Sequence, residues 1–418
     1  MGLPPLLYFS MRRPIKRNRL KLAAESQRVA NLALAVAQSA SRVEDLDWQA
    51  KLDALVTKSL RQHHQDMLEA ATEHLFQTHP NGYEVLTETL ESVSTSTQFE
   101  YENQTYVSLL IAAPILAWTR FEIASGSIPT EALAILHTQL SAHLLADQAQ
   151  LRLLPGLYSI DQLPRNHVET YALLERHGLA MLKNLPSPTE AERAHTIPFL
   201  ADIRYVLGVI LVKKDAPLFQ WQTIDAPYDS VEAKNQALLQ WQQQTDATIK
   251  RLVPGCGIEL LLPEAYYTAC READIKIRPA TIRSAMFYLT QSLGKEADQF
   301  SVIIASFGEQ ENPGQVDEYR ISFCLRDAPE VIYGVVWPLY QAEDQIIAIN
   351  LDENEQLAGE IPGILQECGV TEIIQLEEIF AMEFCDDCGT PLFADRDSDL
   401  VHTEMPDDAP TPGATHFH

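Results

Sequence analysis

The sequence predicts an α/β protein: an N-terminal helical unit followed by duplicated βαβ-type units in a mixed sheet, with a C-terminal zinc-knuckle-like turn. Three observations predict it. Helical apolar spacing dominates up to about residue 95, and apolar strand-like runs then alternate with helical stretches. Two short strand-end sequences also recur in the same order.

The helical unit is expected over residues 21–95. Trp48, Leu52, Leu55, Val56 and Leu60 form one apolar stripe, and Met67, Leu68, Ala71, Leu75 and Phe76 another. Pro80-Asn81-Gly82 reads as a turn, and Tyr83, Leu86, Leu90 and Val93 as a further helix. The pattern changes at about residue 97. The run from Phe99 to Trp118 reads as a buried strand, and Ala132, Ile135, Leu136, Leu140 and Leu144 mark a helix over 129–147. Leu151-Arg152-Leu153-Leu154 is a second strand, and a helix over 165–183 follows Pro164. Such alternation predicts parallel strands joined by right-handed crossovers. The first α/β unit is thus placed at 96–190 and the second at 191–300.

The duplication rests on two matches. Ala113-Pro114-Ile115-Leu116-Ala117-Trp118 recurs 103 residues on as Ala216-Pro217-Leu218-Phe219-Gln220-Trp221. Leu153-Leu154-Pro155 with Tyr158 recurs 108 residues on as Leu261-Leu262-Pro263 with Tyr266. A C-terminal α/β part, 301–381, follows. In it Val302–Ala305, Tyr319–Leu325 and Val331–Leu339 are close enough to pair antiparallel. A helix over 356–368, capped by Gly369, precedes a last strand, Val370–Leu376.

The strongest chemical signal lies in residues 382–418. Cys385-Asp386-Asp387-Cys388-Gly389 is a Cys-x-x-Cys-Gly turn, a spacing that lets two thiolates reach one ion at Zn–S ~2.3 Å. His402, His416 and His418 are available to complete a structural zinc site. A redox pair is the alternative, but Gly389-Thr390-Pro391 disfavours the helix N-terminus that thioredoxin-like cysteines use. The bland alternative is two free cysteines in a turn with unrelated tail histidines. Glu383, Asp386 and Asp387 are expected to raise the thiol pKa values by repulsion.

No catalytic motif appears. Asp395, Asp397 and Asp399 resemble the start of a calcium loop, but Leu400 stands where that loop needs glycine. His63, His64, His74 and His79 form no His-Glu-x-x-His pattern. Charged groups beside strand ends make a weaker case for an enzyme pocket: Asp161 with Arg165, Asp202 with Arg204, Arg271 with Asp274, and Asp317 and Glu318 with Arg320.

The net charge is −27. Residues 1–21 carry +6 and residues 382–418 carry −8, which leaves −25 on the body. That argues against nucleic-acid binding by the folded part, because phosphates are recognised through Lys and Arg. The basic terminus, with Arg12, Arg13, Lys16, Arg17, Arg19 and Lys21, could contact an anionic partner such as RNA or a membrane surface. No run is long enough to span a bilayer. The apolar patch after the basic run is interrupted by Asn31, which disfavours a signal peptide and favours the cytoplasm. Met11, which opens the basic run, is expected as the true start.

Several segments carry a resemblance: Leu75-Phe76-Gln77-Thr78, Ala112-Ala113-Pro114, Tyr158 to Pro164, Ala269 to Asp274, Val335-Val336-Trp337-Pro338, the Cys385–Phe393 knuckle and His402 to Pro406. Together they resemble the uncharacterised betaproteobacterial family known as domain of unknown function 2863. The resemblance implies a cytoplasmic bacterial protein, and it supplies no catalytic residues.

Overall fold

A computed structural model describes residues 22–186, 191, 200–223, 230–308, 314–340, 347–351 and 357–406. The basic terminus, His416 and His418 lie outside the described residues.

The helical unit holds α1 (Ala24–Ala37), α2 (Arg42–Arg61), α3 (Gln65–Thr78) and α4 (Pro80–Thr95). The apolar stripes face one another: Val29, Leu52, Val56, Leu60, Ala71, Leu75 and Leu86 are all fully buried. Ser41 caps α2 by accepting a hydrogen bond from the Glu44 amide. Pro80 does not make a turn. It opens α4, where its missing N–H goes unneeded.

A seven-stranded sheet follows, and all its pairings are antiparallel, which corrects the expectation of parallel βαβ units. The expected strand 99–118 is a hairpin, β1 (Ser96–Tyr101) and β2 (Gln104–Trp118). Glu102 and Asn103 both have positive φ, as a primed two-residue turn requires. Then come β3 (Gly126–Ser127), α5 (Thr130–His143), β4 (Gln150–Tyr158), α6 (His167–Leu182), β5 (Ala201–Lys213), α7 (Ser230–Leu252), β6 (Gly257–Leu260), β7 (Glu264–Ala265) and α8 (Tyr266–Leu293). β2 pairs with β5 from Tyr106–Lys213 to Trp118–Ala201, so the two expected α/β units share one sheet. α5 and α7 cover one face, and α6 and α8 the other.

The echoed sequences fare differently. Ala113–Trp118 lies inside β2, whereas Ala216–Trp221 lies beyond the end of β5. The second pair sits in matching surroundings. β4 runs along β5 and breaks register between Leu153 and Leu157, around Pro155. β6 and β7 run along β2 and are interrupted between Leu260 and Glu264, around Pro263. Proline cannot donate to a ladder, so each flanking strand gives way there.

α8 leads into a second, mixed sheet. Its first half packs on the first sheet through Tyr266, Cys270 and Ala273; beyond Pro279, Ile282, Met286 and Leu289 pack on the second. That sheet has the order β10 (Val331–Pro338), β9 (Glu318–Leu325), β8 (Phe300–Gly308) and β13 (Glu372–Ala381). β8, β9 and β10 pair antiparallel as expected, and β13 runs parallel to β8. A short pair, β11 (Asn350–Leu351) and β12 (Leu357–Ala358), precedes α9 (Glu360–Glu367), which ends at Gly369 with φ +93°. α8 and α9 cover one face of this sheet. The other is covered by the C-terminal hairpin β14 (Phe393–Ala394) and β15 (Leu400–Val401).

Candidate metal centre

Residues 383–392 form a narrow loop that closes on itself. The Leu392 amide donates to the Glu383 carbonyl (3.1 Å), and Phe384 bridges to Pro391. Inside this neck the Cys385 amide donates to the Thr390 carbonyl (2.8 Å) and the Gly389 amide to the Cys385 carbonyl (2.8 Å). Gly389 has φ +75°, a left-handed conformation that glycine adopts without strain.

His402 follows β15 directly. The Phe393–Val401 and Ala394–Leu400 pairs carry the chain back so that its imidazole returns to the loop. The ligand atoms of Cys385, Cys388 and His402 all lie within 4.8 Å of one another. Ligands of a tetrahedral zinc with Zn–S ~2.3 Å stand about 3.5–3.8 Å apart, so little movement would let all three converge on one ion. The two cysteines are half-buried and His402 is exposed. His416 and His418 lie outside the described residues.

Cys388 departs from the expected sign. Its thiol pKa is lowered to about 6, first because the Thr390 hydroxyl donates to the sulfur (2.9 Å), with the Thr390 backbone and His402 (Nε2–Sγ 3.2 Å) adding to it. Donors at bonding distance outweigh the repulsion of Asp386 and Asp387, whose exposed carboxylates act through water. The loop thus favours the thiolate, the form a metal needs. Thr390 was overlooked as a functional residue, although its place two positions after the second cysteine was visible in the sequence.

Of the charged pairs beside strand ends, Asp202–Arg204 and Glu318–Arg320 form ion pairs. Arg204 is buried, donates to Asp202 (2.5 Å) and also holds the Ile123 and Ala124 carbonyls. Arg271 pairs with Glu91 (2.5 Å) rather than with Asp274. Asp274 is buried, one of its carboxyl oxygens has no hydrogen-bond partner, and burial raises its pKa to about 7. Asp395 accepts from the Asp397 and Asp399 amides (both 2.9 Å), so this acidic motif builds the β14–β15 turn. A groove of about 440 Å³ lies elsewhere, on α1 and α2, lined by Arg28, Asn31 and Trp48 among others.

Fold and cluster together define a mixed α/β protein with a candidate Cys₂His metal site. The chain belongs to the family described as "Protein of unknown function (DUF2863)", whose profile matches residues 14–417. No curated protein and no solved structure matches it. No helix among the described residues is long and apolar enough to cross a membrane.

Proposed function

We propose that this is a non-catalytic, cytoplasmic binding or scaffold protein whose C-terminal knuckle holds a structural zinc ion, and that the ion fixes the hairpin 393–402 on the second sheet. The convergence of Cys385, Cys388 and His402 carries the reading. His416 or His418 would supply the fourth ligand. Structural zinc sites draw four ligands from short segments of this kind. Metal analysis of the purified chain tests it. One zinc per chain is expected, lost in Cys388→Ser, with a lower melting temperature after chelation. Metal-free protein that melts identically with and without added zinc would refute it.

A second reading, an enzyme with a pocket at the strand ends, rests on one group of side chains: Asp274, Tyr205, Tyr266 and Cys270 are buried together, and burial raises the pKa of Asp274 to about 7. A thermal-shift screen of small metabolites tests it. Hits abolished by Asp274→Asn are expected, and hits indifferent to it would count against it.

We also propose that the first sheet arose by duplication, each half lending a proline-broken strand to the other's long strand. The surroundings of Pro155 and Pro263 support this. Superposing β2–α5–β4–α6 on β5–α7–β6–α8 tests it: the two prolines should coincide, and a fit that aligns them only by breaking element order overturns it.

A further inference from the structure

One buried charge lies directly beneath the knuckle and belongs to neither core. Arg320, in the middle of β9, is fully buried, and its Nε donates to Glu318 (2.6 Å), itself 3% exposed. Its Nη1 donates to two backbone carbonyls, Glu383 (2.8 Å) and Leu392 (2.5 Å). Those residues form the neck of the cysteine loop. The guanidinium lies 4.2 Å from the Phe307 ring centroid and 5.3 Å from that of Phe384, the neighbour of Cys385.

The placement follows from strand geometry. Residues two apart in a strand share a face, so Ser322 stands beside Arg320, and its hydroxyl donates to the Ala394 carbonyl (2.6 Å). Carbonyls two apart in the overlying strand also point the same way, so Leu392 and Ala394 are gripped together. His402 lies one residue beyond the Phe393–Val401 pair, and Leu392 one residue before it, so the register, continued by one step, sets the two side by side. The carbonyl that Arg320 holds thus belongs to the residue facing the third metal ligand.

A core optimised for stability alone would place apolar residues here, because burying an ion pair rarely gains over a hydrophobic replacement. The Nη2 of Arg320 is moreover buried with no hydrogen-bond partner, which costs stability. That cost is offset only if the fork-shaped donor does something a leucine could not. Lysine, a single point charge, would not span a carboxylate and two carbonyls at fixed angles.

We infer that Arg320 is a positioning residue for the metal site: it clamps the neck of the cysteine loop and the strand facing His402, so that all three ligands are in place before the ion arrives. This inference rests on the zinc reading. It differs from ordinary core packing because it predicts a loss of metal affinity in a variant that is still fully folded. Partners that orient metal ligands typically change affinity 10–100-fold when lost.

The test is cobalt(II) titration of the full chain, followed by the thiolate-to-cobalt absorption band, with melting of the metal-free protein measured alongside. Arg320→Lys keeps a cation beside Glu318 but loses the fork. It should bind cobalt about 10–100-fold more weakly than wild type at a temperature where melting shows both metal-free proteins fully folded. Equal affinity in wild type and Arg320→Lys would overturn this inference alone. Absence of the band in wild type would overturn the zinc reading and this inference with it. Should Arg320→Lys fail to fold, Ser322→Ala removes the neighbouring grip: weaker cobalt binding supports the clamp and unchanged binding overturns it.

Discussion

Phe393 should decide whether the C-terminal hairpin stays on the sheet. It is 5% exposed and packs with Ile303, Cys324 and Val331. The space it fills exists because residue 334 is glycine: a Cβ there would lie 2.3–2.5 Å from three atoms of the Phe393 ring. Phe393→Ala removes the ring and leaves its slot empty, a change that costs about 3–5 kcal/mol in well-packed cores. The hairpin is peripheral, so the loss should appear as local opening of residues 382–406 and not as unfolding of the first sheet. At about 1.4 kcal/mol per tenfold, even 3 kcal/mol raises the open fraction by roughly 10². Limited proteolysis with mass-spectrometric mapping reads this directly, because cleavage follows the open population when reclosing is fast. Cleavage within 382–406 should accelerate about 10²-fold in the metal-free variant while the helical signal melts as before. If cleavage in this segment is unchanged, or if the whole molecule melts together without it, the hairpin is not held as described.

Asp274→Asn tests the buried carboxyl: its pKa rises from 3.8 to about 7 on folding, so the native state keeps a proton that the unfolded chain releases, and stability falls as pH rises from about 4 to about 7. The variant's stability relative to wild type, from urea unfolding at pH 5 and 8, should therefore increase with pH, by at most ~3 kcal/mol; a constant difference would refute it. His167 works in the opposite sense: burial lowers its pKa to about 4, so the unfolded chain binds the extra proton and stability rises as pH rises from about 4 to 6.5. His167→Gln should flatten that rise in melting curves, and an unaltered pH profile would count against it. Gly363→Ala, inside α9 with no neighbour in the way of a Cβ, should stabilise by about 0.5–1 kcal/mol. Gly359→Ala should destabilise instead, because φ is +113° and the Cβ would lie 2.7 Å from the Ala348 carbonyl oxygen; equal melting of the two variants would refute both assignments.

The elements were legible where one residue pattern has one physical solution. Leu52, Val56 and Leu60 recur at helical spacing, and all three are fully buried in the helical unit. The three C-terminal strands are joined by connections too short for crossovers, and they pair antiparallel. Strand direction in the first sheet was not legible. An apolar run followed by a helix permits a return in either sense, and β2 lies beside β5 without either run of residues specifying it. The match of Ala113–Trp118 with Ala216–Trp221 misled for a related reason: apolar residues after a proline suit a strand and a turn equally well. The cysteine pair was legible because its spacing is local. The sign of the Cys388 shift was not, since formal charges in sequence are visible and a hydroxyl's position in space is not.

Arg320 shows how a decisive group can hide in a strand. β9 is buried from Glu318 to Cys324, so its pattern is that of any central strand, and Glu318 and Arg320 look like a self-contained ion pair. Only the fold reveals that the arginine's other nitrogen reaches the neck of a loop more than sixty residues away. The placement also explains why a metal would matter. The opposite face of the second sheet is covered by two helices, α8 and α9, each with several buried apolar residues. The hairpin contributes only Phe393 and Ala394 as fully enclosed side chains. So short a segment cannot bury enough apolar surface to offset the entropy of ordering it. Small units of this kind depend on staples, and besides the Arg396–Glu372 ion pair (2.9 Å) three candidates stand here: the Arg320 and Ser322 side chains, the Glu404 amide bonded to the Val331 carbonyl (3.1 Å), and the candidate ligand set Cys385, Cys388 and His402. The first two act on backbone carbonyls and need nothing from outside the chain. The third is complete only with an ion, so attachment of the tail would follow the supply of metal.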